Sequence, residues 1–326
     1  MNIKALALSV AVATAAATGP ALADASTFPD RPILWIVPFS PGGATDIVAR
    51  LVASKMSESW GQQVVVENKP GAGGVVGTDA VAKAKPDGYT IGGISLNFTM
   101  YSTLYSNVPF DPLKDIAPIT LVAKIPSILV VYPELPINSV EDLIREAKAN
   151  PGKIGFASGG GIGTGGHVAG ELFKKLTGVD MTHIPYKGGG PATTDLIGGH
   201  VQISFATTTS IIQAVRAGKV RAIAVTSPER FALVPDLPTV AEAGVAGFDT
   251  QEMQGIVAPA GTPPEIIEKL NGEIVRILAL PEVRDRLASL GATPVGGTPA
   301  EFQAYLDEER AKWAEVFKDS QVGLVK

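Results

Sequence analysis

Cysteine is absent from the 326-residue chain. That excludes disulfides, thiolate nucleophiles, cysteine-based zinc sites and a lipidated N-terminal cysteine. Histidine is scarce: there are three, His167, His183 and His200. They have neither H-E-x-x-H nor H-x-x-E-H spacing, so the sequence holds no ligand set for metal-assisted chemistry. A basic excess is missing too. Lysine and arginine number 27 against 32 acids, the formal charge is −5, and no cationic run offers nucleic acid a face. No G-x-S-x-G elbow occurs, and Ser158 stands in Ala-Ser-Gly-Gly without an evident base. Past the first residues, no apolar run approaches the length of a membrane span.

The first residues form a class of their own. Lys4, an apolar stretch over 5–17 and Ala21-Leu22-Ala23 read as an export signal, 1–23, cleaved near Ala23. The mature chain is therefore expected outside the cytoplasm, in the periplasm. Its length exceeds what one core usually supports, and a two-domain core needs no covalent staples.

Apolar periodicity supplies the architecture. Strands at 33–39, 63–67 and 89–95 alternate with helices at 45–59 and 78–84 on short loops, the pattern of a parallel sheet covered on both faces. A long apolar strand over 120–132 opens a second unit, with helices at 140–149, 167–176 and 211–217 among strands at 154–157, 182–185, 201–205 and 220–225. A strand over 250–258 crosses back, and helices at 265–279, 282–290 and 300–318 finish the chain. Trp313 and Phe317, one helical turn apart, read as core. The expectation is a discontinuous lobe I (24–123 plus 248–326), a lobe II (124–247), crossovers near 120–125 and 245–255, and a cleft between lobes.

Three turns share one device. Pro41-Gly42-Gly43, Gly161-Ile162-Gly163-Thr164-Gly165-Gly166 and Gly188-Gly189-Gly190-Pro191 each follow a strand and open a helix. A helix N-terminus leaves unpaired N–H groups and carries about half a positive charge. Glycine lets a ligand reach that backbone, so such ends hold carboxylate or phosphate without a cationic side chain. The plainer alternative is that each loop is only a tight connection. Gly161, Gly163 and Gly166 also fit G-x-G-x-x-G, but Asp180 precedes the next strand instead of closing it, which disfavours a dinucleotide site. Asp46 and Asp195 sit in first helical turns, where capping or dipole complementarity explains them. His167, also in a first turn, reads as a neutral packed imidazole.

These segments resemble a known family. Val37-Pro38-Phe39-Ser40-Pro41-Gly42-Gly43-Ala44-Thr45-Asp46, Val66-Glu67-Asn68-Lys69-Pro70-Gly71-Ala72-Gly73-Gly74 and Pro86-Asp87-Gly88-Tyr89-Thr90 are similar to tripartite tricarboxylate transporter substrate-binding proteins, the Bug-type receptors. The likeness continues through Gly163-Thr164 with His167, Pro185-Tyr186-Lys187-Gly188, Asp195-Leu196-Ile197-Gly198-Gly199 and Ala258-Pro259-Ala260-Gly261-Thr262-Pro263. It implies an α/β, two-lobed periplasmic-binding-protein clamshell (Venus flytrap, type II), each lobe a mainly parallel sheet flanked by helices. It further implies a monomer, not an enzyme and without cofactor or metal, that captures a small carboxylate and hands it to membrane permease subunits. A sensor kinase as partner, or an exported enzyme on the same fold, are the alternatives. The ligand-binding residues implied are Phe39, Ser40, Gly42, Gly43, Ala44, Thr45, Asp46, Ser95, Asn97, Ser158, Gly163, Thr164, His167, Phe205, Ala206, Thr207 and Met253. Many relatives carry an acid just after the Phe205 position and a tryptophan at the Met253 position. The missing acid favours an amine-free ligand, aliphatic or aromatic, because an ammonium would lack its partner, and Met253 offers a flexible apolar wall.

Overall fold

The computed structural model describes residues 27–318. The expected export signal lies outside the described residues. In chain order the elements are β1 (Ile33–Val37), α1 (Ala44–Trp60), β2 (Val64–Asn68), α2 (Val75–Ala82), β3 (Thr90–Ser95), α3 (Tyr101–Leu104) and β4 (Ile116–Val131). Then follow α4 (Val140–Ala149), β5 (Gly155–Gly159), α5 (Gly165–Thr177), β6 (Thr182–Tyr186), α6 (Gly189–Ile197), β7 (Ile203–Thr207), α7 (Thr208–Arg216) and β8 (Arg221–Val225). The chain ends through β9 (Gln251–Pro259), α8 (Pro264–Leu278), α9 (Pro281–Ser289), β10 (Thr293–Gly296) and α10 (Pro299–Phe317).

The strands make two sheets joined by one of them. β4 pairs with β9 over 116–126 in the first sheet, then with β7 and β8 over 127–131 in the second. The first sheet runs β2-β1-β3-β9-β4, with β10 beyond; in the second, β8 and β7 flank β4 and β5 and β6 follow. At the passage, Ser127 donates its amide to Thr226 Oγ1, and Thr226 in turn donates its own amide to the Ser127 carbonyl. Thr250 donates to the Thr226 carbonyl just before β9 begins.

Pairing is parallel for β1 with β2 and β3, and for β5 with β6 and β7. β4 and β9 run antiparallel to their neighbours, so each sheet is mixed rather than mainly parallel. The reason is topological: a strand that carries the chain out of one sheet and another that brings it back must oppose each other. Two further features were not visible in the sequence. Leu96–Met100 forms a 3₁₀ turn after β3, and β10 adds a short edge strand to β4.

Each sheet buries its own apolar cluster. Val48, Val52 and Met56 of α1 pack with Ile266, Leu270 and Ile274 of α8 under the first sheet. Ile211, Ile212 and Leu196 pack with Ile128 and Val130 under the second. α10 also ties the sheets: Trp313 and Phe317 are buried, and Lys175 of α5 bonds the Glu315 carbonyl at 3.0 Å.

Candidate functional site

Between the sheets lies a cavity of about 370 Å³. Its first wall is the turn from β1 into α1. Gly42 takes φ 80°, a left-handed conformation that glycine adopts at no steric cost, and swings the chain into the helix. Gly43 is the N-cap residue and no side chain caps the helix. The first-turn amides of Ala44, Thr45 and Asp46 therefore keep the unpaired donors that every helix start has, and they border the cavity through Gly43, Ala44 and Thr45. Asp46 does not compete for them. Its carboxylate turns back to accept Gly42 N at 2.9 Å, Arg50 Nε at 3.0 Å and Asn68 Nδ2 at 2.9 Å. Burial alone would raise its pKa; the bonds from Arg50, Gly42 and Asn68 outweigh that and hold it below the usual carboxylate range.

The opposite wall is the turn from β6 into α6, packed on the end of β5. A Cβ on Gly159 would stand 2.6 Å from Gly189 Cα, so the two backbones meet only because residue 159 is glycine; a Cβ on Gly189 would in turn meet Ser210. Gly188 caps α6 without a side-chain bond, so the Gly189 and Gly190 amides have the free donors of any helix start, and both residues line the cavity; Pro191 has no amide proton to give. Lys187 stands exposed at the rim. Thr207 and Ser210 complete this wall, their hydroxyls 3.0 Å apart.

The floor is β9. Period-two alternation puts Glu252 and Gln254 on the cavity face and Met253 on the other, in the core at 0% exposure. Ser95, in register with Gln254 on the neighbouring β3, lies beside them and donates to Asn97 Oδ1 at 2.7 Å. A second compartment of about 430 Å³ adjoins past Phe39 and Lys187, walled by Pro38, Pro70 and Gly71 to Gly74.

Comparison with known proteins agrees with this geometry. The family model for the tripartite tricarboxylate transporter family receptor, TctC, matches residues 48–322. The chain belongs to that family. The receptor is 42% identical over 290 residues to the "UPF0065 protein in tcbD-tcbE intergenic region" of Pseudomonas sp. (strain P51), covering 89% of this chain and 86% of that one. Rpa4515 of R. palustris, solved with adipate, superposes with a TM-score of 0.86 at 37% identity, covering 89% of this chain and 97% of that one. The periplasmic binding protein BugD superposes at 0.84 and 39% identity, covering 91% and 99%. The two-lobed periplasmic-binding-protein fold expected from the sequence is thus the fold of the receptor.

Within the receptor, the expected site residues divide. Phe39, Ser40, Gly42, Gly43, Ala44, Thr45, Ser95, Thr164 and Thr207 line the cavity together. Asp46, Asn97, Ser158, Gly163, His167, Phe205, Ala206 and Met253 stand behind its lining. Asn97 is buried and donates to the Gly73 carbonyl. Phe205 packs among Phe156, Phe173 and Phe248, and Ala206 among the apolar residues of the second sheet.

The α5 turn, the expected second-lobe anion site, is filled from within. Gly163 donates its amide to His167 Nδ1 at 3.0 Å, and Gly165 donates to Glu252 Oε2 at 2.9 Å. Glu252 Oε1 also accepts Leu96 N at 2.8 Å and Met253 N at 3.0 Å. Behind the turn, Ser158 Oγ meets His183 Nε2 at 2.7 Å, and the His167 and His183 rings lie 4.3 Å apart. Burial lowers both imidazoles, His167 to about 3 and His183 to about 4, with Lys174 adding repulsion. Both are therefore neutral packing groups at neutral pH, as the first-turn position of His167 implies.

Sequence reading omitted Gly159, Gly160, Lys187, Ser210, Glu252 and Gln254 as cavity residues. A signal existed for two of them: Glu252 and Gln254 are polar residues at alternate positions of an otherwise apolar crossing strand.

Proposed function

We propose that the receptor is an extracytoplasmic solute-binding protein that captures a small carboxylate between its lobes and delivers it to a tripartite tricarboxylate-type permease. The observation that carries this reading is the pair of helix starts, α1 and α6, uncapped by side chains and bordering one cavity from opposite lobes. Each offers amide donors and a positive dipole end to an anion. Two such ends suit two acid groups, so a dicarboxylate fits best, and Lys187 adds a cation at the second. The adipate held by Rpa4515 is such a molecule.

Closure brings the walls together around the passage at Ser127, Thr226 and Thr250, and the permease reads the closed form. The lobe boundaries remain as the sequence placed them, with 124–247 as lobe II. The protein works in the periplasm, as a monomer, after loss of residues 1–23. Conversion of the ligand has no support from the lining: the histidines lie behind it, and the Glu252 carboxylate is held by three amides. The argument for an amine-free acid survives, because both carboxylates near the cavity, Asp46 and Glu252, are already engaged.

Calorimetric titration with straight-chain dicarboxylates of four to six carbons and the matching monocarboxylates tests the reading. Binding of a dicarboxylate, with the monocarboxylate much weaker, is the expected result. Failure of every acid in the panel to bind overturns it.

A further inference from the structure

The turn that opens α5 meets the first sheet's side of the molecule at a row of residues. Nearest the passage at Thr250, Glu252 accepts the Gly165 amide at 2.9 Å. At Gly163 the 3₁₀ turn after β3 presses in, so that a Cβ there would stand 3.2 Å from Asn97 Cβ. At Ile162, Tyr105 from the end of α3 donates its hydroxyl to the carbonyl at 2.8 Å. Tyr105 is buried and lines neither compartment of the cavity. Burial raises its pKa to about 12, so the hydroxyl keeps the proton it donates. Its path to Ile162 depends on Gly73. A Cβ at that residue would collide with the Tyr105 hydroxyl, and Asn97 holds the Gly73 carbonyl in place. One glycine of the Gly71-Ala72-Gly73-Gly74 run is thus fitted to a tyrosine of its own fold.

A rotation that separates the two sheets moves a contact near the hinge little and a contact farther out more. Glu252 stands just past Thr250, so its bond to Gly165 is the inner end of the row, and the Ile162 bond is the outer end. We infer that Tyr105 is a positioning residue: its bond to the Ile162 carbonyl latches the sheets in the arrangement that brings α1 and α6 to one cavity, and so slows release of the captured acid. The latch rests on capture and closure as proposed for the cavity. Lining neither compartment, Tyr105 acts through the fraction of the receptor that is closed. Opening returns both the hydroxyl and the carbonyl to water, so the latch carries the net weight of one neutral hydrogen bond.

Stopped-flow binding kinetics of succinate and adipate on the full mature protein test the latch. Tyr105→Phe keeps the ring and its edge-on contact with Tyr101 and removes only the donor. Dissociation is expected to quicken about fivefold, with association within about twofold of wild type. A hydroxyl with a merely structural role would lower the unfolding midpoint and leave the dissociation rate alone. Gly73→Ala, which drives a Cβ into the Tyr105 hydroxyl, is expected to quicken dissociation as well. An unchanged dissociation rate in either variant overturns the latch while leaving capture of the acid standing. So does small-angle scattering of the wild type that shows no compaction when the acid is added, a measurement that needs no variant to fold. Failure of both acids to bind the wild type overturns the latch and the capture reading together.

Discussion

The α1 and α5 turns are built alike, and the protein uses them oppositely. Each follows a strand through glycine into a helix whose N-cap side chain accepts no first-turn amide. At α1 the carboxylate of Asp46 takes the Gly42 amide together with Arg50 and Asn68, and leaves the first-turn amides of Ala44 and Thr45, residues that line the cavity, without a side-chain acceptor. At α5 the carboxylate of Glu252 arrives from β9 and takes the Gly165 amide, while His167 takes that of Gly163. A glycine turn at a helix start is thus open to a ligand only where the fold's own acceptors leave first-turn amides unclaimed. The α5 turn instead works as a joint, where one carboxylate fastens a helix of the second sheet to a strand of the first.

That contrast can be broken at its strongest point first. Glu252→Ala leaves the amides of Leu96, Gly165 and Met253 without their acceptor and should cost about 3 kcal/mol in urea unfolding. Unchanged stability would mean the carboxylate is not the joint. Gly43→Val comes next. The residue sits at φ −76° and ψ 167°, which valine adopts, and a Cβ would meet Ser40 O at an ordinary 3.5 Å. The fold should hold while dicarboxylate affinity drops about 100-fold, as two charge-assisted amide bonds are screened. Gly163→Val should do the reverse. At φ +81°, with Asn97 Cβ 3.2 Å from the new Cβ, it strains the backbone by about 1–2 kcal/mol yet leaves the α1 amides intact. Thermal melts beside calorimetry separate the two outcomes.

The histidine stack behind α5 sets a pH dependence that α1 lacks. His167 and His183 stay neutral in the folded protein, whereas the unfolded chain protonates them near the ordinary 6.5. Their contribution to stability is complete above about 6.5 and is lost as pH falls toward 4 and then 3, because the unfolded state binds more protons. The thermal midpoint should therefore fall between pH 7 and pH 4.5, and less so in His183→Gln. The smallest effect is at the rim: Lys187→Ala, an exposed cation, should weaken dicarboxylate binding by about threefold and reduce its salt dependence. Titration at two ionic strengths reads both.

Much of the fold was legible because its signals are local. The apolar run of β4, the Ser139 cap that accepts the Asp142 amide, and the proline-led start of α8 mark their own positions. The α1 half of the site was legible for the same reason: strand, glycine and helix are consecutive. The rest depends on residues distant in sequence. Nothing near Gly165 announces that Glu252 will accept its amide from 87 positions away, and that contact is the reason the proposed second anion position lies at α6 and not at α5. Met253 was misplaced by a single step of strand register, which sends its side chain to the core and brings Glu252 and Gln254 to the ligand face. The antiparallel β9 and the edge strand β10 likewise follow from three-dimensional pairing, which periodicity does not report.

The central claim concerns which amides hold the acid groups, and amide-resolved NMR titration of the ¹⁵N-labelled receptor with a binding dicarboxylate tests it most directly. The account predicts large, saturable shifts at Gly43, Ala44 and Thr45 in one lobe and at Gly189 and Gly190 in the other, with Gly163 and Gly165 moving far less. Shifts centred on Gly163 and Gly165, with the α1 and α6 amides unmoved, would contradict it.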